Sequence, residues 1–459
     1  MSRWITLWSF FVSVMVLGLL SLLYNLNTSL FSTVFHQQIG NSTLLVQNTN
    51  ENTVRNSTFT KTLPFVKSPG LRLYLYSAFI INDNDQQHIS ALAWVHKSLK
   101  STKMKCCLSL EDTTTLMVPA TQIHPWYVTE GPSLIIVMYS CKIYEEITSI
   151  RGVSISLNNV TCSSNDINSV KPITLETKQN SNIALCGKLV YGSKDGNFLI
   201  EWFEFLRYMG VKKVVIYPYK LNTYAASVLR YYESLGIVDV VSGFDMPEKD
   251  LIPREVGEKI YQVFNDELLI LKDCLIRLWN YKYIAVHDTD EFMIPYNVGV
   301  NGSWINFFNE YFKANIASIA FKTSYHITSW KPANKSSHLA IGRHIDGTYP
   351  IYDRRKNVFM PSRVSPESVS THDLAPHKGY KKLHCPSSIA SIHHFRKCRP
   401  EWLTRKNSSK PMPKLCGNSK FPCFEFCTQR SNLLESVAFT IGKNVQAVKN
   451  HLRHNINND

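Results

Sequence analysis

Hydrophobic residues are distributed along the chain in four distinct ways. From Trp4 to Tyr24 they run for 21 residues without a charge, ~31 Å of helix at ~1.5 Å per residue, which predicts one membrane-spanning helix. From Asn25 to about Ser68 they thin out into an Asn/Thr/Ser-rich stretch that reads as a stem. Between about Leu71 and Val170 short apolar runs such as L-R-L-Y-L-Y-S-A-F-I-I alternate with polar turns, the pattern of strands. After a strand-like A-L-C-G-K-L-V-Y-G from Ala184, the period changes. F-L-I-E-W-F-E-F-L-R-Y-M-G reads as an amphipathic helix stopped by Gly210, V-K-K-V-V-I-Y-P as a strand, and T-Y-A-A-S-V-L-R-Y-Y-E-S-L-G as a helix stopped by Gly236. With I-V-D-V-V as the next strand and a helix from about Val263 to Asn280, the alternation predicts a parallel sheet with helices on its faces. The strand K-Y-I-A-V then runs straight into H-D-T-D-E-F.

Charge gives the span a direction. Arg3 precedes it and no Lys or Arg follows until Arg55, so the positive-inside bias predicts a cytosolic N-terminus with the remainder across the membrane. A cleaved signal peptide would have a shorter apolar region and a small-x-small cleavage site. Seven N-x-[ST] acceptors, at Asn27, Asn41, Asn56, Asn159, Asn301, Asn334 and Asn407, agree with a secretory-pathway address, which excludes nucleic acid as a partner. Eleven cysteines without a C-x-x-C pair argue against a zinc ribbon and, in an oxidising lumen, predict mostly disulfides, with at least one cysteine left free or paired between chains. Of the formal net charge of +15, +12 lies between Arg354 and Lys420, a concentration suited to a phosphate-bearing ligand or to an anionic surface.

In an open parallel sheet ligands bind outside the carboxyl ends of the strands, where Asp288, Asp290 and Glu291 fall. A strand's period of two would give Asp288 and Asp290 the same facing, so that both reach one divalent cation that also takes diphosphate oxygens. Acidic turns after strands are commonly just solvated, and it is the α/β setting beyond a predicted anchor and stem that points to chemistry.

Several motifs in order resemble glycosyltransferase family 92: L-Y-S-A-F near Tyr76, C-G-K-L-V at Cys186, E-W-F-E-F-L-R-Y-M-G-V at Glu201, D-C-L-I-R at Asp273, H-D-T-D-E-F at His287, V-S-T-H at Val369 and H-H-F-R at His393. The resemblance spans roughly Leu71 to Cys427. It implies a GT-A-like, doubly wound, mostly parallel sheet and metal-assisted transfer from a nucleotide sugar, with β-galactosyl transfer from UDP-galactose under inversion as the expected activity. Phe395 stands where the family more often has Tyr, and Lys272 where a small polar residue is more usual.

The implied donor contacts are Asp288, Asp290, Lys188, Arg277 and Arg396. The implied ligands for Mn²⁺ or another divalent cation are Asp288 and Asp290 with a late histidine, His372 ahead of His394; His393 stays open. An inverting transfer needs a general base. Glu310 reads as an exposed helix residue, which leaves Asp346, Asp353, Glu367 and Asp373. Tyr325, Trp330, Tyr349 and Tyr352 are candidates to stack on an acceptor sugar and equally ordinary core residues.

The expected organisation is a cytosolic tail (1–3), a transmembrane signal-anchor (4–24), a lumenal stem (25–68), a strand-rich segment (69–180), a catalytic domain (181–430) and a C-terminal tail (431–459). The expectation is a type II Golgi membrane enzyme whose partners are a nucleotide sugar, a glycan or glycoprotein acceptor and the membrane. The alternatives are an inactive lumenal protein that binds glycan or sugar nucleotide, and a metal-dependent hydrolase.

Overall fold

A computed structural model describes residues 65–456 except 84–85, 124–133, 145–146, 148, 163–168, 175–179, 242–246, 248–254, 257–258, 297–302, 365–367, 400–401, 403–412, 417–422 and 424. The chain divides into two units, Met1–Thr58 and Phe59–Asp459, and every described residue belongs to the second. The predicted membrane span and nearly all of the stem therefore lie outside the described residues. No helix among the described residues is long and apolar enough to cross a membrane.

The strand-rich stretch forms an eight-stranded sheet between Val66 and Thr174. Alternation along Leu73–Asp83, shifted by one at a bulge between Leu75 and Ser77, puts Leu73 and Leu75 into a core of the sheet's own, and Tyr74, Tyr76 and Phe79 into a second core shared with the helix Tyr261–Arg277.

The second sheet has nine strands: β1 (Asn180–Tyr191), β2 (Val211–Tyr219), β3 (Val238–Val240), β4 (Tyr281–Val286), β5 (Glu291–Pro295), β6 (Ile316–Ile327), β7 (Ile351–Phe359), β8 (Lys381–His384) and β9 (Ala390–Arg396). Their order is β3-β2-β1-β4-β7-β6-β9-β5, with β8 beside β6. The first four are mutually parallel, as the alternating pattern predicts, but β7 runs antiparallel to both β4 and β6, and β5 antiparallel to β9. The sheet is thus mixed rather than mostly parallel. Helices α1 (Gly196–Tyr208) and α2 (Thr223–Ser234) cover one face and α3 (Tyr261–Arg277) the other, so the chain changes direction between β1 and β4. In such sheets that switch point is the ligand crevice.

Local chemistry sets the helix ends. Asp195 accepts from the N–H groups of Asn197 and Phe198 at the start of α1, and Asn222 from that of Ala225 at the start of α2. Gly210 and Gly236 follow in the left-handed conformation that ends each helix. A further helix, α4 (Trp304–Tyr311), buries Trp304, Phe307 and Phe308 and leaves Glu310 exposed, as expected. The stretch expected as a C-terminal tail is instead α5 (Asn432–Ile456). Leu434, Val437, Ile441, Val445, Val448 and Leu452 recur at helical spacing and join the core that holds α1.

All eleven cysteines are placed. Cys106 pairs with Cys141, Cys107 with Cys162, Cys186 with Cys274, Cys398 with Cys423 and Cys416 with Cys427, leaving Cys385 as a buried thiol.

Candidate active site

The site forms where β1 and β4 end. Two bulges supply its cations. In β1, Cys186 pairs with Val215 and Lys188 with Ile216, so Gly187 is an extra residue; a Cβ there would lie 2.8 Å from Cγ1 of Ile216. Lys188 follows with φ +55°, a left-handed conformation rare outside glycine. The bulge turns its side chain to Asp288, with Nζ 2.8 Å from Oδ1, and to Glu267 of α3. The second bulge lies in β7, where Ile351 pairs with Thr323 and Lys356 with Phe321, so 352–355 oppose Lys322 alone. Arg354 within it has φ +47°. Lys356, fully buried, reaches Oδ2 of Asp288 at 2.6 Å and Oε2 of Glu291 at 3.1 Å.

The acids stand on a turn and not on a continuing strand. The N–H of Glu291 donates to the carbonyl of Asp288 (3.1 Å), and the N–H of Asp288 donates to Oε2 of Glu291 (3.1 Å). The turn breaks the period of two, so Asp288 and Asp290 meet different partners. Asp288 is held by two ammonium groups, whereas Asp290 faces His394, with Oδ2 3.4 Å from Nε2. Nδ1 of His394 lies 3.3 Å from Oε1 of Glu291. Asp290, Glu291 and His394 each direct one ligand atom into a cluster within 4.8 Å.

Burial opposes ionisation of Asp288, but Lys188 and Lys356 outweigh it and hold its pKa well below the usual carboxylate range. Burial likewise raises Asp290, and His394 brings it down. Burial pushes Glu291 up, and Lys356 offsets this only in part. The carboxylates of Glu267, Asp288, Asp290 and Glu291 outnumber the ammonium groups of Lys188 and Lys356 by two, and neither Oε1 of Glu291 nor Nδ1 of His394 has a hydrogen-bond partner. A divalent cation fits that excess charge and those donor atoms.

Of the two histidines considered as metal ligands, His394 joins the carboxylates and His372 does not. Nδ1 of His372 lies 3.2 Å from the carbonyl of Arg355, and burial with Lys356 and Lys188 lowers its pKa to about 3. His393 points to the opposite face, where it meets His326 (2.9 Å) and Tyr296 (3.2 Å). His287 is fully buried against Trp304, and burial lowers its pKa to about 3.

Arg277 lies apart from this cluster. It pairs with Asp273 at 2.6 Å and stacks on Phe79, ten residues and ~15 Å along α3 from Glu267, which makes it a tie between α3 and the first sheet. Arg396 follows His394 on β9. Burial and the neighbouring charges of Arg399 and Arg354 lower its pKa, and among the described residues no carboxylate pairs with it.

The described base candidates all have partners. Asp346 pairs with Arg430 (3.0 Å), and Asp373 with Arg355 (3.4 Å) and Lys382. Asp353 is buried against Arg399 (2.7 Å) and the hydroxyl of Tyr325 (2.8 Å). Glu367 lies outside the described residues. Of the aromatic candidates, Tyr325 is fully buried and Trp330 packs on Phe426, while Tyr349 and Tyr352 are about half exposed.

The sequence reading missed Glu267 and Lys356 altogether and gave Glu291 no role. Glu291 had a signal in its place beside the aspartates, and Lys356 only in its membership of the basic stretch.

Residues 181–421, just over half of the chain, match the model of glycosyltransferase family 92, Glyco_transf_92. The chain belongs to glycosyltransferase family 92. The match begins at the bulged strand that carries Lys188 and takes in both halves of the acid and histidine cluster. Comparison with curated proteins gave no match. As a family 92 protein the chain is a glycosyltransferase whose substrates are a nucleotide sugar and an acceptor.

Proposed function

We propose that this family 92 protein transfers a hexose from a nucleotide diphosphate sugar to a sugar hydroxyl with the help of a divalent cation held by Asp290, Glu291 and His394. The observation that carries the reading is the gathering of four carboxylates around two ammonium groups, beside two ligand atoms without a hydrogen bond, at the strand switch point. When bound, the cation neutralises diphosphate oxygens and stabilises the charge of the leaving group. The chain's own groups do the rest. Lys188 and Lys356 fix Asp288 in its ionised form at the edge of the cluster. Arg396, without a carboxylate partner among the described residues, is the cation for the donor's phosphates.

The finer assignment rests on the family resemblance: UDP-galactose as donor, Mn²⁺ as cation, β linkage with inversion, and a terminal sugar of a lumenal glycan as acceptor. The charge-free span and the sequons support a type II Golgi membrane address. The alternative of an inactive binding protein draws on one feature, that both oxygens of Asp288 are engaged by lysines.

Incubating the purified full-length chain with Mn²⁺ and a panel of nucleotide sugars over a glycan array tests the reading. Galactose transfer to one class of terminal sugar is the expected result. Transfer of another sugar would replace the donor, and sugar release without an acceptor would make the protein a hydrolase. Saturable glycan binding without transfer would select the inactive alternative.

A further inference from the structure

Metal-binding histidines are ordinarily oriented by a hydrogen bond to the ring nitrogen that does not face the metal. In His394 each ring nitrogen faces a carboxylate, Nε2 that of Asp290 at 3.4 Å and Nδ1 that of Glu291 at 3.3 Å, so whichever nitrogen takes the metal the other has such a neighbour. Packing supplies a further support behind the ring. Glu291, His394 and Tyr325 are register partners across β5, β9 and β6, so the three share one face in a row. The Tyr325 ring lies 5.4 Å from the imidazole, centroid to centroid, at an interplanar angle of 36°.

Tyr325 is itself held by a buried polar pair. Its hydroxyl donates to Oδ2 of Asp353 (2.8 Å) and accepts from Nη2 of Arg399 (2.6 Å), and Nη1 of Arg399 lies 2.7 Å from the same Asp353 oxygen. The guanidinium sits over the rings of Tyr325 (5.1 Å) and Trp402 (4.7 Å), with Arg399 only 1% exposed. The backbone is pinned as well: Cys398 is bonded to Cys423, whose carbonyl accepts from Nε1 of Trp330 at 2.7 Å. A buried ion pair adds little stability over apolar side chains of the same volume, so this one is better understood through the geometry it imposes.

We propose that Arg399 is a positioning residue: with Asp353 it clamps Tyr325 behind His394, fixes the imidazole toward Asp290 and Glu291, and so sets the affinity of the site for a divalent cation. The proposal rests on the reading of Asp290, Glu291 and His394 as the cation site. Asp353, considered from sequence as a general base, becomes part of this clamp.

The test is Mn²⁺ binding alone, followed by the electron paramagnetic resonance signal of free Mn²⁺, on the full-length chain and its variants. Arg399→Met is expected to raise the dissociation constant about tenfold or more, the range for lost supports of metal ligands. Arg399→Lys, which cannot span Asp353 and the Tyr325 hydroxyl with a planar fork, should recover only part of the loss. Tyr325→Phe keeps the ring and deletes the hydroxyl, so it tests the clamp even where Arg399→Met fails to fold, and it too should bind more weakly. Transfer by these variants should recover as Mn²⁺ is raised, which a general loss of structure would not permit. Wild-type Mn²⁺ affinity in folded Arg399→Met or Tyr325→Phe would overturn the clamp and leave the cation site standing. Absence of Mn²⁺ binding by the unaltered chain would overturn both.

Discussion

Replacing Lys356 by Met removes the buried cation that two carboxylates share. At the observed 2.6 Å from Asp288 and 3.1 Å from Glu291, an effective dielectric of about 20 gives attractions of about 6 and about 5 kcal/mol. Burying the ammonium group costs several kcal/mol of this, and removal of one partner from a buried pair typically destabilises by ~3–5 kcal/mol. Asp288 would keep Lys188, so Glu291 bears most of the loss. At roughly 2 °C per kcal/mol, Lys356→Met should melt ~6–10 °C below wild type in EDTA. Carboxylates would then outnumber ammonium groups at the site by three instead of two, so Mn²⁺ should raise the melting temperature of the variant by more than it raises that of the wild type. Circular dichroism melts at pH 7, with EDTA and with Mn²⁺, read both quantities. Melting within 2 °C of wild type in EDTA, or an equal gain from Mn²⁺ in the two proteins, would refute the assignment of Lys356 as counter-charge to these acids.

Asp290→Ala should lower transfer about a hundredfold or more with little loss of stability, because Asp290 faces His394 and an open edge of the cluster; melting and turnover measured together check this. Asp288→Ala should fall as far in activity and melt several degrees lower, since it strips a partner from both Lys188 and Lys356. Arg277→Ala should lower stability while leaving the Michaelis constant for the nucleotide sugar unchanged; a rise of tenfold would return Arg277 to donor binding. Burial raises the pKa of Glu201 to about 7, against the N–H groups of Ala340 and Ile341 that favour its ionised form. A carboxyl raised on folding stabilises most below its unfolded pKa, and the contribution is lost as pH rises through about 7. Wild type should therefore lose on the order of 3 kcal/mol relative to Glu201→Gln between pH 4.5 and 8, read from paired denaturation curves.

The elements whose period and stops agree were legible from sequence. Helices α1 and α2 have apolar residues at helical spacing and end at Gly210 and Gly236, and the position of the acids at the end of β4 follows from an apolar strand meeting charge. What failed was long-range. Nothing local to H-D-T-D-E-F says that its turn sends Asp288 and Asp290 to different partners, because those partners lie on β1, β7 and β9. The choice between His372 and His394 depended on strand pairing: Glu291 opposite His394 decides it, and register across a hundred residues leaves no trace in spacing. The antiparallel insertion of β7 was invisible for the same reason. Helix α5 was missed because its polar face dilutes a regular apolar stripe.

The two bulges that deliver Lys188 and Lys356 fix the number of residues in stretches that look, by composition, like ordinary strand. Surface connections absorb added length at ~0.6 kcal/mol per doubling. Within 352–355 the arithmetic is different: deleting one residue shortens the bulge that, with Arg354 at φ +47°, delivers Lys356 to Asp288. Losing Gly187 would remove the bulge that aims Lys188, at φ +55°, toward Asp288. Chains that keep this site are thus free to vary in length along their connections but not across 186–188 or 351–356, and a gap falling in either span marks a descendant that has lost the grip on Asp288.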